Sequence, residues 1–211
     1  KNKIKILLSG SNHNTEGIFP KSWQYSNMDS VNLKAIHKKF GSLKLKNYET
    51  ISFFDHYINF PFFQGMQVLK LLNFIDYNKN KAVNELKKRV NYREYPNKHG
   101  ESVFTSFFQN YYLVKRFGFD KRRPHYSSLI VSGQMTRSKA LKLLNKNSLT
   151  DHDINSKIIY VCKKLGISRE EFDVIMNEPR RYYSDFKNWE WRYKLLKRVQ
   201  QTVIKLKSLI S

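Results

Sequence analysis

Residues 98–125 read KHGESVFTSFFQNYYLVKRFGFDKRRPH. Val103, Phe104, Phe107, Phe108, Tyr111, Tyr112 and Val114 recur at three- and four-residue intervals, a spacing that predicts a helix too aromatic to lie in water on all sides. Lys115 and Arg116 precede Gly118, as a helix C-terminus favours. The polar residues gather at the two ends. At the entry stand Lys98, His99, Gly100, Glu101 and Ser102. A glycine lets a ligand approach the backbone, a helix N-terminus exposes N–H donors, and Lys98 adds a positive charge, so this end reads as an anion site. His99 and Glu101 are suited to moving a proton beside it. Beyond the helix, Asp120, Lys121, Arg122, Arg123 and His125 form a second cluster, in which arginine can pair two-point with carboxylate or phosphate. Taken singly, the first cluster also reads as a capped loop and the second as a solvated turn. Their placement around one aromatic helix favours a ligand site.

Downstream the pattern stays helical. Pro124 opens a helix that closes at Gly133, Thr136 caps another, and Thr150 or Asp151 caps a third. Ser168, Arg169, Glu170 and Glu171 have the spacing of a capping box, and Pro179 ends that helix. Residues 184–210 carry Trp189, Tyr193, Leu196, Val199, Val203, Leu206 and Ile210 among Lys and Arg, an amphipathic basic helix expected to pack its apolar face on the domain. Upstream the pattern alternates. Residues 3–8 predict a buried strand stopped at Ser9, Gly10, Ser11 and Asn12. The loop that follows, with Ser9, Asn12, Asn14, Thr15 and Glu16, lies where parallel sheets bind ligands, although an ordinary strand-to-helix connection reads the same way. Asp29 or Ser30 caps a helix over 31–40 with Leu33, Ile36 and Phe40 on one face and Gly41 as its stop. A second helix is expected over 49–59, before Pro61. A β-like run covers 67–74, and a helix over 78–90 turns Ala82, Val83, Leu86 and Val90 inward. Strand, helices, strand, helix is an α/β order.

Composition sets the outer limits. The chain has 211 residues, 40% of them hydrophobic, enough for a buried core. Its 39 Lys and Arg against 17 Asp and Glu give a formal charge of +22. Such a field attracts nucleic acid, anionic membrane, nucleotide-linked metabolites or acidic proteins without choosing among them, and a solvated lysine surface accounts for part of it. Cys162 is the single cysteine. That excludes an intrachain disulfide and a cysteine-built zinc site, makes Cys162 a small core residue, and points to a reducing, cytoplasmic location. No apolar run approaches the ~18 residues of a membrane span, and no secretory signal pattern is present. Lys1 is not a start methionine, so the chain is expected to be part of something longer.

The runs K-H-G-E-S, F-F-Q-N-Y-Y, F-G-F-D-K-R-R-P-H and S-G-Q-M-T-R, together with L-S-G-S-N-H-N-T-E-G-I at Leu8 to Ile18, P-K-S-W at Pro20 to Trp23, L-K-A-I-H-K-K-F-G at Leu33 to Gly41, L-N-F-I-D-Y-N-K at Leu72 to Lys79 and L-G-I-S-R-E-E-F at Leu165 to Phe172, resemble the C-terminal portion of the N-acetyl sugar amidotransferases of bacterial surface-polysaccharide biosynthesis. The resemblance implies an α/β fold: residues 1–97 as the C-terminal part of a parallel-sheet, nucleotide-binding core like that of ATP pyrophosphatases, and 98–211 as a mainly helical substrate-binding region. It implies conversion of an acetamido group on a nucleotide-linked sugar to an acetamidino group, with ATP and Mg2+ as cofactors and ammonia from a glutaminase partner, in O-antigen or related glycan synthesis. Ser9, Gly10, Asn12, Thr15 and Glu16 would then face ATP. Lys98, Gly100, Ser102, Gln109, Lys121, Arg122, Arg123 and His125 would face the sugar nucleotide, with His99 and Glu101 as proton handlers and no protein metal ligands. The family's S-G-G-x-D-S loop is absent from this chain, which is consistent with a C-terminal portion whose N-terminal segment lies elsewhere. The alternatives are an RNA-binding or tRNA-modifying relative, for which no RNA-binding signature is present, and a non-catalytic remnant serving as an interaction module.

Overall fold

A computed structural model describes residues 4–23, 25–93, 102–147 and 149–210, with side chains as far as residue 202. In chain order the elements are β1 (Ile6–Ser9), α1 (His13–Glu16), α2 (Ser30–Phe40), a π-helical segment (Asp55–Phe63), β2 (Gln67–Lys70), α3 (Lys79–Val90), α4 (Val103–Phe107), a π-turn (Phe108–Tyr112), α5 (Leu113–Phe117), α6 (Arg122–Val131), α7 (Arg137–Leu144), α8 (Asp151–Leu165), α9 (Arg169–Asn177) and α10 (Glu190–Ile210). The two strands pair in parallel as a two-stranded sheet, entered by the Gln67 N–H donating to the Lys5 carbonyl at 2.7 Å.

Side-chain caps explain most helix starts. Asp29 accepts from the backbone N–H of Val31 and Asn32, each at 2.9 Å, and begins α2. Asn78 begins α3, Ser102 begins α4 and Thr136 begins α7. Thr150 with Asp153 and Ser168 with Glu171 form reciprocal capping boxes at α8 and α9. Gly118 ends the aromatic helix at φ 72°, in the left-handed region where a side chain is strained.

The chain divides into two compact units, each discontinuous in sequence: Lys1–Leu7, Tyr25–Val68 and Arg181–Ser211 make the first, and Leu8–Gln24 and Leu69–Arg180 the second. The expected boundary after residue 97 lies outside the described residues. In the second unit Phe107, Ile158, Val161, Cys162 and Phe172 form the core, with Tyr111, Tyr112, Ile154, Ile167 and Met176 packed on it. Cys162 is therefore the small core residue its apolar surroundings foretold. Burying a side chain such as Ile158 stabilises by about 2–3 kcal/mol. In the first unit Trp189 is fully buried against Phe53 and Tyr57. Asp29 ties that cluster together: its second carboxylate oxygen accepts the Trp189 N–H at 2.8 Å and the Tyr183 hydroxyl.

Several expectations are corrected. The strand expected to be buried at residues 3–8 is exposed along most of β1, and Val68 of β2 is exposed as well. A strand buried on both faces needs elements packed over each of them, and the two described strands lack that cover. Among the described residues the chain is mainly helical with one two-stranded parallel sheet, which falls short of the ATP pyrophosphatase-like core expected. The helix expected before Pro61 instead runs through it. The Gln64 N–H reaches back five residues to the Asn59 carbonyl, and this wider π-helical winding gives room to a ring that would collide in an α-helix. Of the four residues expected to face inward on α3, Ala82 and Val83 are half-buried, while Leu86 and Val90 are exposed. The expected β run over 67–74 breaks at Leu71 into a 3-10 turn.

Candidate functional site

The loop after β1 and the basic cluster after α5 meet in the second unit. Helix α1 is one turn long, and Asn12 sets it: its side-chain oxygen accepts the Thr15 N–H at 2.9 Å and the Thr15 hydroxyl at 3.1 Å. Both residues are buried. This turn lies on α6 through three contacts. The His125 Nδ1 stands 3.0 Å from the Thr15 carbonyl oxygen, Ser132 donates to the Asn14 carbonyl at 3.1 Å, and the Ile18 N–H donates to the Ser128 hydroxyl at 3.0 Å. The other side of the loop is held by Asn73, which accepts the His13 N–H at 2.9 Å, and by the Tyr77 carbonyl, which accepts from the side-chain amides of Asn14 and Gln134.

A carbonyl oxygen only accepts, so His125 carries a proton on Nδ1. Ser9 Oγ accepts the Ser11 N–H at 3.2 Å within the same loop, and Glu16 is exposed. Nothing in the fold demands glycine at Gly10: a Cβ there would meet open space and its φ is not left-handed. Close approach of a ligand to the backbone is a reason for glycine that such a position still admits.

The cations of the cluster differ in what they do. Arg122 is engaged on all three of its nitrogens. Its Nε and Nη2 donate to the Asp120 carboxylate, the closest contact being 2.7 Å; Nη1 donates to the Lys146 carbonyl at 2.7 Å and the Leu143 carbonyl at 3.4 Å, and Nη2 also to the Leu144 carbonyl at 3.4 Å. It thereby closes the C-terminal end of α7, where orphan carbonyls need donors. Burial alone would raise the Asp120 carboxyl, but the Arg122 side chain and backbone N–H outweigh it, with the Arg123 charge adding, and hold it below its ordinary value. The Arg122 pKa is raised in turn, first by its hydrogen bonds to Asp120. Lys121 rests its ammonium 5.8 Å over the Phe19 ring and Arg123 is exposed, so these two present their charge outward more than Arg122 does.

Of the entry cluster, Lys98, His99, Gly100 and Glu101 lie outside the described residues, and Ser102 serves as the cap of α4, accepting the Thr105 N–H at 3.2 Å. Gln109 is half-buried in the π-turn beside Asn110, whose side-chain nitrogen is buried without a hydrogen-bond partner among the described residues. The aromatic spacing finds the helix but not this π-turn, because i to i+5 bonding leaves no mark in a three-and-four pattern. Among the described residues no group of three or more His, Cys, Asp or Glu could hold a metal ion. No described helix is long and apolar enough to cross a membrane.

Residues 101–200 match the family described as LPS biosynthesis protein WbpG-like, C-terminal domain. No curated protein and no solved structure matches the chain.

Proposed function

We propose, from the match of residues 101–200 to the family described as LPS biosynthesis protein WbpG-like, C-terminal domain, that the protein takes part in an ATP-dependent amidotransfer to a nucleotide-linked acetamido sugar. The observation that carries the reading beyond the family is the junction of α1 with α6. Two segments more than a hundred residues apart, one with a glycine-containing loop and one with a basic cluster, are joined by the His125 contact to Thr15. In this reading Lys121 and Arg123 attract the diphosphate of the sugar nucleotide. His125, oriented by the Thr15 carbonyl, faces the sugar nucleotide beside them. Arg122 is a positioning residue that fixes the turn between α5 and α6 through Asp120. Bound ATP supplies the group that turns the acetamido oxygen into a leaving group, and Gly10 is the position of the loop that admits its phosphates. Lys98 and Gly100 remain substrate-facing residues in this reading, and His99 and Glu101 its proton handlers. Ammonia comes from a glutaminase partner, and the work is done in the cytoplasm, where nucleotide sugars are made.

The test is direct. The protein is incubated with ATP, Mg2+, an ammonium salt and a nucleotide-linked acetamido sugar. The expected product has the acetamido oxygen replaced by NH, with AMP released in step with it. Release of AMP that depends on tRNA and ignores the sugar would instead select the tRNA-modifying alternative. Gly10→Ala is expected to lower sugar-dependent AMP release about tenfold or more while leaving the melting temperature unchanged, since its Cβ enters open space. An unchanged rate would remove that loop from the ATP site.

A further inference from the structure

The first unit holds a concavity of about 470 Å3 whose walls come from two stretches far apart in sequence. The early turns of α2 contribute Asn32 and Ile36, the segment before it contributes Tyr25 and Asn27, and the segment before α10 contributes Arg181 and Tyr183. The volume suits a small organic ligand. Tyr25 stacks on Tyr183 with ring centroids 4.4 Å apart and planes at 20°, and Tyr25 remains 49% exposed. A ring braced on one face and half open to solvent is a platform for a second planar group. The Arg181 guanidinium is itself held, 5.0 Å over the Phe40 ring, which limits the freedom it would lose on binding an anion.

Among the described residues the single carboxylate in the wall is Asp29. Its oxygens are saturated by the Val31, Asn32 and Trp189 N–H groups and the Tyr183 hydroxyl, so its charge is spent inside the fold. The Asn32 side-chain amide donates to the Tyr183 and Lys187 carbonyls and fixes the wall. What the concavity offers a visitor is therefore a ring face, amide and phenol groups, and one guanidinium.

We infer that this pocket binds a nucleoside 5′-phosphate, with the base stacked on Tyr25 and the phosphate at Arg181. Tyr25 supplies the sequence-tolerant π-contact that every base accepts, and Arg181 supplies the charge-assisted hydrogen bonds that a phosphate requires. The site does not rest on the amidotransfer reading. Its readout is equilibrium binding rather than turnover, so either can fail without the other.

The experiment titrates the protein calorimetrically with UMP, uridine and ribose 5-phosphate at physiological ionic strength, using wild type, Tyr25→Ala, Tyr25→Phe and Arg181→Gln. UMP is expected to bind with one-to-one stoichiometry. Tyr25→Ala should weaken UMP and uridine alike, Tyr25→Phe should retain both, and Arg181→Gln should weaken UMP about tenfold while sparing uridine. Should Tyr25→Ala fail to fold, Ile36→Trp, which fills the pocket from an exposed helix position, takes its place and should abolish UMP binding. The inference is overturned if UMP does not saturate, if neither substitution changes its affinity, or if ribose 5-phosphate binds as well as UMP and ignores Tyr25.

Discussion

Helices α4, α8 and α9 hide their apolar stripes in one another, whereas the two strands leave theirs in solvent. Phe107, Ile158, Val161 and Phe172 are almost wholly buried, while Ile6, Leu8 and Val68 each expose more than half of their surface. The same residue classes thus have opposite fates in one chain. An amphipathic helix needs one neighbour to bury its stripe, and the helices from α4 onward supply neighbours to each other. A strand of a parallel sheet needs cover on both faces, and the strands described here lack it. Stability should therefore reside in the helical core and in the Asp29 knot, and hardly at all in the side chains of the sheet.

That contrast can be broken by substitution. The largest effect is expected for Ile158→Ala, which leaves a cavity in the helical core and should cost about 3–4 kcal/mol in urea unfolding. Asp29→Ala removes a helix cap together with the acceptor of the Trp189 N–H and the Tyr183 hydroxyl, and should cost about 3 kcal/mol by the same measurement. A smaller effect concerns acid. The Asp120 carboxyl is held below its ordinary value, so its contribution is complete above the unfolded value of about 3.9 and is lost as pH falls through the folded value. Asp120→Asn should therefore be less stable than wild type near neutral pH, and the difference should shrink below about pH 4. A difference that stays constant with pH would remove the Arg122 pairing as its cause. The smallest effect is expected for Leu8→Ser, within about 0.5 kcal/mol of wild type. A loss as large as that of Ile158→Ala would mean that the strand is buried in solution and would end the contrast.

The same division marks what could be read in the sequence. Caps act over three or four residues, so Thr150, Ser168, Thr136 and Asp29 announced their helices, and Gly118 announced an end. Burial on α3 was misjudged at Leu86 and Val90 because periodicity shows which residues share a face without showing whether anything covers it. Pro61 predicts a helix end because proline breaks α-winding, and the chain avoids the collision by winding wider. At the candidate site, the grouping of Asp120, Lys121, Arg122, Arg123 and His125 was visible as a run of charge. The pairing of Arg122 with Asp120 and the contact of His125 with Thr15 were not, since one is a matter of side-chain direction and the other spans 110 residues. The pocket with Tyr25 and Arg181 leaves no mark in the sequence, because those two residues stand far apart in the chain and in no motif.

The central claim, that this chain serves amidotransfer in surface-glycan synthesis, is tested most directly in the organism that encodes it. The gene is deleted and the sugars of the surface polysaccharide are analysed by mass spectrometry. The account predicts that acetamidino sugars disappear, that their acetamido counterparts take their place, and that the wild-type gene restores them while a His125→Ala version does not. Unchanged acetamidino content in the deletion strain would contradict it.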